Sequence, residues 1–326
     1  MVFLRLALGV TWTVVITTAR RLYRGPRLAG WPFLFELAVA LIRRTIRSGV
    51  TLPPAMLRRS LPAAPVNRQS RAQILHASTT LGGRPTEIST PVGWSEGAHP
   101  TLLYFPGGGY VIGSPATHRD LIARLAIAAG ARVVAVDYRK APEHPFPAAA
   151  DDADAAYRAL LADGLSPGRF FLAGDSAGGA LALASAVQAR DAGLPLPRAL
   201  LLFSPWTDLA CPGESIEQNA PFDYLTAPAL GQSAERYLNG ADVAHARASV
   251  IHADLRGLPS LFVESGGAEL LLSDNQQLAA LAAAAGVRVV HHIEGNMVHV
   301  FPAFSSVLPQ ARAAIARAGD FVRSQQ

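Results

Sequence analysis

From about residue 73 onwards, the chain alternates between two kinds of hydrophobic pattern. Short aliphatic or β-branched runs bounded by Gly, Pro or Asp are typical of buried strands, and the Ala-rich stretches between them are typical of helices. The pattern predicts strands over 73–78, 86–90, 101–105, 132–137, 169–173, 198–203, 261–264 and 287–293. It predicts helices over 118–129, 148–162, 177–192, 274–285 and 309–323. This alternation favours a largely parallel sheet with helices on both faces, an α/β fold.

The alternation breaks between about residues 206 and 256. Pro, Asp and Asn are scattered there among short helical stretches. We interpret this segment as an insertion that lies over the carboxyl edge of the sheet. The sequence therefore predicts one α/β domain over residues 73–326, with the insertion inside it.

Residues 1–72 form a different segment. Two apolar runs, 6–19 and 31–42, are each followed by a pair of arginines. The first run has 14 residues, about 21 Å as a helix, which is short for a hydrocarbon core of about 30 Å. Three interpretations stay open: helices that pack over the body as part of a cap, an interfacial helix whose arginines contact anionic lipid, and a signal peptide. Against a signal peptide, Arg5 is the only charge ahead of the first run and no small-residue cleavage site follows.

Composition and charge exclude several classes of protein. Half of the 326 residues are hydrophobic and 16% are charged, which excludes a disordered or fibrous chain. Residues 1–72 hold twelve arginines and one acid, Glu36, so the remainder is net acidic although the whole chain carries +5. We therefore expect no nucleic-acid partner. A single cysteine, Cys211, excludes an internal disulfide, and no Cys/His cluster has zinc spacing. We expect a cytoplasmic protein with no metal.

The stretch 170–179 carries the most informative motif. An apolar strand runs into Gly174-Asp175-Ser176-Ala177-Gly178, a G-x-S-x-G pattern, and an Ala-rich helix follows. This context predicts a nucleophile elbow, a sharp strand-to-helix turn that exposes Ser176. Side chains at Gly174 and Gly178 would collide with neighbouring segments. The Ala177 amide, at the start of the helix, would point at a developing oxyanion.

A glycine run follows the strand predicted over 101–105. In Pro106-Gly107-Gly108-Gly109-Tyr110, successive glycines can expose backbone N–H groups because no β-carbon intervenes. Neither G-x-G-x-x-G nor a G-K-[ST] ending is present, so phosphate binding is not indicated. Because the glycine run lies one strand ahead of the predicted nucleophile elbow, we expect Gly107, Gly108 and Gly109 to form the second half of an oxyanion hole.

These stretches resemble the hormone-sensitive-lipase-like α/β-hydrolases, the group that contains the bacterial family IV carboxylesterases. The resemblance spans residues 101–301 in the expected order, and residues 1–72 match only loosely. It implies an α/β-hydrolase fold with an eight-stranded sheet, a cap built from the N-terminal helices and the 206–256 insertion, and ester hydrolysis without metal or cofactor. It is carried by 107–114, 137–148, 174–179, 204–209 and 299–301.

The rest of a catalytic triad lies downstream of Ser176, in the order Ser, acid, His. A general base must accept the serine proton near neutral pH, which suits histidine. The resemblance implies His299 as the base and Glu269, after the glycine turn that follows strand 261–264, as the acid. Asp274 is the alternative acid, although it looks more like an N-cap region residue for a helix beginning near Asn275.

One position departs from the family pattern. The family usually has histidine before the glycine run, whereas this chain has Pro106. The proline leaves open how the loop is braced without that side chain. Three further residues are candidates for the substrate pocket: Tyr110, Asp175 and Trp206.

The sequence predicts a serine carboxylesterase that hydrolyses short- to medium-chain acyl esters through an acyl-enzyme intermediate. Alternatives are a membrane-associated lipid hydrolase, an acetyl-ester or amide hydrolase and, on the evidence of Pro106 alone, a catalytically silent ligand-binding homologue. The expected partner is a small-molecule ester, bound by a monomer or homodimer. Peripheral membrane contact through the N-terminal segment is a further expectation.

Overall fold

A single sheet organises the chain. The structure, a computed structural model, describes residues 2–49 and 52–325. The predicted segments 1–72 and 73–326 also include residues 1, 50, 51 and 326, which lie outside the described residues. Within the described residues, a strand occurs at each of the eight predicted positions. The strands are β1 (Ile74–Leu81), β2 (Arg84–Pro91), β3 (Thr101–Phe105), β4 (Arg132–Val136), β5 (Phe170–Asp175), β6 (Ala199–Phe203), β7 (Ser260–Gly266) and β8 (Val289–Glu294).

Helices precede, connect and follow these strands. They are α1 (Val2–Arg24), α2 (Phe33–Gly49), α3 (Pro54–Ser60), α4 (Arg68–Arg71), α5 (Arg119–Ala129), α6 (Ala148–Ala162), α7 (Ala177–Asp191), α8 (Ser215–Gln218), α9 (Ala227–Leu238), α10 (Leu272–Ala284) and α11 (Pro309–Ser324). Short 3₁₀ turns occupy Ala116–His118, Pro167–Arg169, Val250–His252 and Phe301–Phe304. No described helix is long and apolar enough to cross a membrane.

The strand order is β1-β2-β4-β3-β5-β6-β7-β8. β2 is antiparallel to both of its neighbours, and all pairs from β4 to β8 are parallel. The central strands are continuous apolar runs, such as TLLYF in β3, because helices cover both faces of the sheet. The predicted α/β-hydrolase arrangement, eight strands in a mostly parallel sheet, is confirmed.

Two apolar layers fill the space on either side of the sheet. On one face, Leu103 of β3 and Leu172 of β5 pack with α6, α7 and α10. On the other face, Tyr104 and Phe171 pack with α5 and α11. Alternate residues of each strand thus enter opposite cores, and the strands are held rigidly from both sides.

The order in which the chain adds strands to the sheet reverses at β3. β4 lies on one side of β3 and β5 on the other. In open α/β sheets, the crevice outside the carboxyl ends of the strands at such a switch point is the usual place for a ligand. The glycine run after β3 and the G-x-S-x-G turn after β5 therefore lie side by side at that edge.

The N-terminal helices pack on the loop that follows β8. α1 lies against α2, and the indole of Trp31 donates a hydrogen bond to the Asn296 carbonyl at 2.5 Å. Phe35 and Val39 of α2 enter the same apolar cluster, together with Met297, Val298, Phe301, Leu308, Ala311 and Ala314. The segment between β6 and β7 contains α8 and α9, which is where the sequence predicts an insertion.

Candidate active site

Ser176 occupies the turn between β5 and α7. Its backbone has φ 53° and ψ −125°, a strained conformation for a residue with a side chain. The Ser176 N–H donates to the Phe203 carbonyl at 2.9 Å, and the Ser176 carbonyl accepts from the Trp206 N–H at 3.0 Å. The turn is therefore held by the end of β6, and it presents Ser176 at the carboxyl edge of the sheet.

Two glycines make this turn sterically feasible. A β-carbon at Gly174 would overlap the Gly178 carbonyl, and one at Gly178 would overlap the Phe105 carbonyl at the end of β3. The expected collisions are thus confirmed. The close approach at Gly178 also brings the glycine loop after β3 against the start of α7.

That loop is braced by Asp175 and Tyr138. One oxygen of the buried Asp175 carboxylate accepts from the Tyr104 hydroxyl at 2.6 Å and from the Gly107 N–H at 3.0 Å. The Tyr138 hydroxyl donates to the Pro106 carbonyl at 2.6 Å. These contacts answer how the loop is held with proline at position 106.

Two expectations need correction here. Gly107 was predicted as an oxyanion donor, but its N–H is already bound to Asp175. Asp175 was predicted to line the substrate pocket, but its carboxylate holds the loop from beneath. Among the hydrogen bonds of residues 52–325, none uses the N–H of Gly108, Gly109 or Ala177. Their action as oxyanion donors stays a prediction.

His118 forms an ion pair with Asp175. Its Nε2 lies 3.2 Å from the second carboxylate oxygen, and its Nδ1 lies 3.0 Å from the Ser114 carbonyl. Burial opposes both charges, yet the facing carboxylate raises the pKa of His118, and the imidazolium holds the pKa of Asp175 below its usual value. Because both ring nitrogens face acceptors, the charged imidazolium satisfies them best.

Glu269 lies in the loop after β7, fully buried. Its carboxylate accepts from the Ser204 hydroxyl at 2.5 Å, from the Gly266 N–H at 3.1 Å and from the Asn275 amide at 2.7 Å. The Ser204 hydroxyl in turn accepts from the Val300 N–H at 3.0 Å, beside His299. Glu269 is thereby fixed in position next to the loop after β8.

His299 faces Glu269. Its Nδ1 lies 3.8 Å from the Glu269 carboxylate and has no hydrogen-bond partner among the residues that the structure describes. A charge-assisted hydrogen bond would be about 1 Å shorter, and such bonds are often loose before substrate binds. Burial lowers the pKa of His299 to about 3 and raises that of Glu269 to about 8. The imidazole is therefore neutral at neutral pH, the form that a general base needs.

The alternative acid has another role. The Asp274 carboxylate accepts from the Thr207 N–H and hydroxyl, both at 2.7 Å, and from the Asp208 N–H at 3.3 Å. The expectation that Asp274 caps a helix beginning near Asn275 is wrong, because α10 begins at Leu272 and Asp274 lies in its first turn. Asp274 instead holds the loop after β6.

Comparison with known proteins shows the family of this chain. A family model described as the alpha/beta hydrolase fold matches residues 102–303. The chain belongs to the α/β-hydrolase family. It is similar to an acetyl-hydrolase of Streptomyces hygroscopicus, with 49% identity over 225 residues that cover 69% of this chain and 75% of the relative.

Two further similarities extend over most of the chain. An esterase of Acinetobacter venetianus is 32% identical over 302 residues, which cover 90% of this hydrolase and 97% of the relative. The crystal structure of an esterase from the bacterial hormone-sensitive lipase family superimposes with a TM-score of 0.77 at 37% identity, covering 97% of each chain. This α/β-hydrolase is therefore a carboxylic ester hydrolase of the hormone-sensitive-lipase-like group, as the motifs predict.

A residue that the sequence analysis missed links the acid and base loops of the hydrolase. Asp223, in the segment between α8 and α9, accepts from the Leu270 N–H at 2.8 Å and from the His299 N–H at 3.3 Å. Burial raises its pKa to about 6. The ring of its neighbour Tyr224 lies edge-on to the His299 imidazole, with centroids 6.0 Å apart. No motif surrounds Asp223, so only the fold reveals it.

The predicted pocket aromatics lie beside the glycine loop. Tyr110 is buried and stacks on Tyr237 of α9 with ring centroids 3.8 Å apart. Trp206 is also buried, and its indole donates to the Cys211 sulfur at 3.0 Å. Contact of either side chain with substrate remains a prediction.

One group of side chains in the described residues has the composition of a metal site. Glu264, His292 and Glu294 converge at the β7–β8 edge. The Arg317 guanidinium lies 2.6 Å from Glu264 and 3.1 Å from Glu294. A cation is thus already supplied by the chain, so these acids form an ion-pair network rather than a candidate metal centre.

Proposed function

We propose that this hydrolase is a serine carboxylesterase acting on short- to medium-chain acyl esters, with Ser176, Glu269 and His299 as its triad. His299 takes the Ser176 proton as the hydroxyl attacks the ester carbonyl. Glu269 holds the imidazole orientation and stabilises the imidazolium. His299 then protonates the leaving alcohol, and a water activated by the same imidazole releases the acyl group from Ser176.

Oxyanion stabilisation in this proposal comes from three backbone donors. The N–H groups of Gly108, Gly109 and Ala177 are unpaired among the described residues. Ala177 directly follows Ser176, and the loop that carries the two glycines follows β3, whose end contacts Gly178. Each such donor typically contributes roughly 2.7–4 kcal/mol to lowering the barrier. The Asp175–His118 pair supports this hole indirectly, because it anchors Gly107 and leaves the next two amides free.

The observation that carries the proposal is the convergence of the three loops on Ser204 and Trp206. Trp206 holds the carbonyl of Ser176, while Ser204 bonds to Glu269 and to the amide that follows His299. Nucleophile, acid and base are therefore positioned by neighbouring residues of one loop. This arrangement supports joint action of the three residues.

The proposed preference for short acyl groups rests on the residues that pack against the glycine loop. A β-carbon on Gly109 would lie 3.0 Å from the Ser233 hydroxyl of α9 and 3.8 Å from the Trp206 ring. Little room remains beside this oxyanion donor. We propose that residues 206–256, together with α1 and α2, form the cap that limits the acyl chain.

A second candidate is an acetyl-ester or acetyl-amide hydrolase. The 49% identity to a protein named acetyl-hydrolase favours it, and the same triad serves both reactions. On this alternative, activity would be confined to acetyl groups and would extend to acetylated amines.

The test is hydrolysis of p-nitrophenyl esters from acetate to dodecanoate by wild type, Ser176→Ala and a control, Ser185→Ala. Ser185 lies in α7, and its buried hydroxyl has no hydrogen-bond partner within residues 2–49 and 52–325. We expect kcat/KM to peak at short to medium chains and to fall roughly 10⁴- to 10⁶-fold in Ser176→Ala, with Ser185→Ala close to wild type. Full activity in Ser176→Ala would refute the proposed nucleophile, and a peak at dodecanoate would refute the chain-length preference.

A further inference from the structure

A cavity of about 740 Å³ lies between α1, α2 and the Pro221–Phe222 segment. Its charged lining consists of five arginines and one acid: Arg20, Arg27, Arg43, Arg44, Arg47 and Glu36. No step of the proposed ester hydrolysis uses these groups. The cavity therefore calls for a separate explanation.

The described carboxylates leave most of the positive charge of this arginine cavity without an ion-pair partner. Glu36 is already paired with Arg20 at 3.3 Å and with Arg21 at 2.8 Å. Between residues 2 and 49 and across 52–325, no carboxylate forms an ion pair with any of the other four cavity arginines, Arg27, Arg43, Arg44 and Arg47. An anion bound in the cavity would supply the missing charge.

Two of these arginines donate hydrogen bonds to neutral backbone carbonyls. Arg27 donates to the Pro221 carbonyl at 2.6 Å, and Arg43 donates to the Asp223 carbonyl. Burial, followed by the charges of neighbouring arginines, lowers the pKa of both. The guanidinium groups thus repel one another where they are held, and a ligand with negative charge would relieve that repulsion.

An exposed apolar stripe on α1 adjoins the cavity. Trp12, Val15, Ile16, Leu22 and Tyr23 are 62%, 52%, 47%, 81% and 88% exposed. Their spacing of i, i+3, i+4, i+10 and i+11 places them on one face of the helix. Trp12 and Ile16 also line the cavity, so the stripe continues to its mouth. A contiguous exposed patch of large apolar side chains marks an interaction surface.

The arginine cavity and the apolar stripe together favour one kind of partner. A second copy of the chain seated on the stripe would bring two unbalanced arginine cavities together, which like-charge repulsion opposes. An anionic lipid surface satisfies both features, since acyl chains accept the stripe and lipid phosphates neutralise the arginines. We propose that α1 and the arginine cavity dock this esterase on an anionic lipid surface, with a lipid phosphate in the cavity and the stripe in the interfacial layer.

Docking at this place would set the membrane beside the catalytic loop. Trp31 and Phe35 pack on the residues that precede and follow His299, and Arg27 and Arg43 hold the segment that carries Asp223 and Tyr224. An ester dissolved in the lipid would then reach the cap without crossing bulk water.

The experiment is co-sedimentation of the full chain with vesicles of phosphatidylcholine alone or with one third phosphatidylglycerol. We expect binding that requires the anionic lipid and weakens in about 0.5 M salt. Arg44→Gln with Arg47→Gln should weaken it roughly 30-fold, about fivefold for each arginine near the surface. Trp12→Ser with Tyr23→Ser should weaken it at least about tenfold, because both rings are lost from the interface.

Matched controls change the same chemistry elsewhere on the protein. Arg158→Gln with Arg256→Gln removes two charges, and Leu75→Ser with Val92→Ser removes two exposed apolar side chains. Both controls should bind vesicles like wild type, and thermal melting should verify that every variant is folded. Ser176→Ala should also bind fully, so failure of docking and failure of the proposed catalysis are distinguishable.

Three results would overturn the proposal. The first is equal binding to both vesicle types, and the second is unchanged binding by the Arg44/Arg47 or Trp12/Tyr23 variants. The third is a combination of two observations. Wild type does not bind vesicles, and sedimentation velocity without lipid shows a dimer that the double variant Trp12→Ser with Tyr23→Ser dissociates. That last result would assign the stripe to a second copy of the chain.

Discussion

Glu269 and Asp274 differ in which groups donate hydrogen bonds to their carboxylates. Both are buried, and burial raises the pKa of each, to about 8 and about 7. Glu269 is held by Ser204, Gly266 and Asn275, and the oxygen that accepts from Ser204 and Gly266 also faces His299. All three donors of Asp274 belong to Thr207 and Asp208. Position relative to the imidazole, not acidity, therefore separates the two acids.

This separation predicts opposite results for two isosteric substitutions. In Glu269→Gln, the side chain that faces His299 can no longer ionise as the imidazolium forms during attack, so kcat should fall roughly 10³- to 10⁴-fold with little change in KM. Asp274→Asn should keep kcat within about tenfold of wild type, because its contacts are to the loop after β6. Steady-state hydrolysis of p-nitrophenyl acetate by both variants checks this. The reverse order of effects would make Asp274 the acid of the triad.

At the scale of single residues, local motifs predict candidates well and contacts between distant loops poorly. Ser176 and His299 lie in recognisable patterns, and the fold brings both to the carboxyl edge of the sheet. Asp223 is 76 residues from His299 in the chain, and no local pattern indicates their hydrogen bond. Gly107 was predicted as an oxyanion donor because no local pattern indicates its contact with Asp175. The hydrogen bond from its N–H to that carboxylate separates it from the next two glycines.

At the scale of elements, burial explains why the sheet could be predicted. Parallel strands covered on both faces are continuous apolar runs, so β3, β5 and β6 stand out in the sequence. β1 is an edge strand with exposed polar positions, and the prediction ended it at residue 78. It continues to Leu81 because Gly82 and Gly83, both at positive φ, form a two-residue turn into β2.

The beginning of α5 contributes a charged contact to the oxyanion loop. His118 immediately precedes this helix, and its imidazolium faces Asp175 at the end of β5. The raised pKa of His118 stabilises the fold fully below its ordinary value of 6.5, and this contribution is lost as pH rises through the folded value. The lowered pKa of Asp175 stabilises the fold above 3.8, and that contribution is lost as pH falls through the folded value. The pair therefore contributes most between these two values.

This linkage predicts a pH-dependent effect of His118→Gln. The substitution should lower Tm more at about pH 6 than at about pH 9, because the charge of wild-type His118 is lost as pH rises through its raised pKa. Thermal melting at both pH values measures the difference. His99→Gln is the control, because His99 is half-buried and its only hydrogen-bond partner in the described part of the chain is Ser95. An equal loss at both pH values would mean that a neutral hydrogen bond, not the ion pair, stabilises the loop.

At the scale of the whole molecule, the N-terminal helices belong to the surroundings of the catalytic loop. From the sequence, residues 1–72 were open to three interpretations, because their partners lie far away in the chain. The contact between Trp31 and Asn296 joins residues separated by 265 positions. Trp31 and Phe35 pack edge to face with centroids 4.8 Å apart, and Phe35 packs likewise on Phe304 at 5.1 Å. This aromatic contact couples α2 to the segment that follows His299.

Two tryptophans of the same segment provide a test of that coupling. Trp31 is 2% exposed and Trp12 is 62% exposed, so Trp31→Ala leaves a cavity against Met297 and Val298, and Trp12→Ala leaves none. Trp31→Ala should lower the free energy of unfolding by about 3–5 kcal/mol. It should also reduce kcat, because the loop that carries His299 loses its packing. Trp12→Ala should change stability by less than about 0.5 kcal/mol and leave hydrolysis of a soluble ester unchanged. Urea unfolding and steady-state kinetics of the two variants measure both effects. Equal stability of the two would contradict the packing of α2 on the catalytic loop and return the N-terminal segment to an independent role.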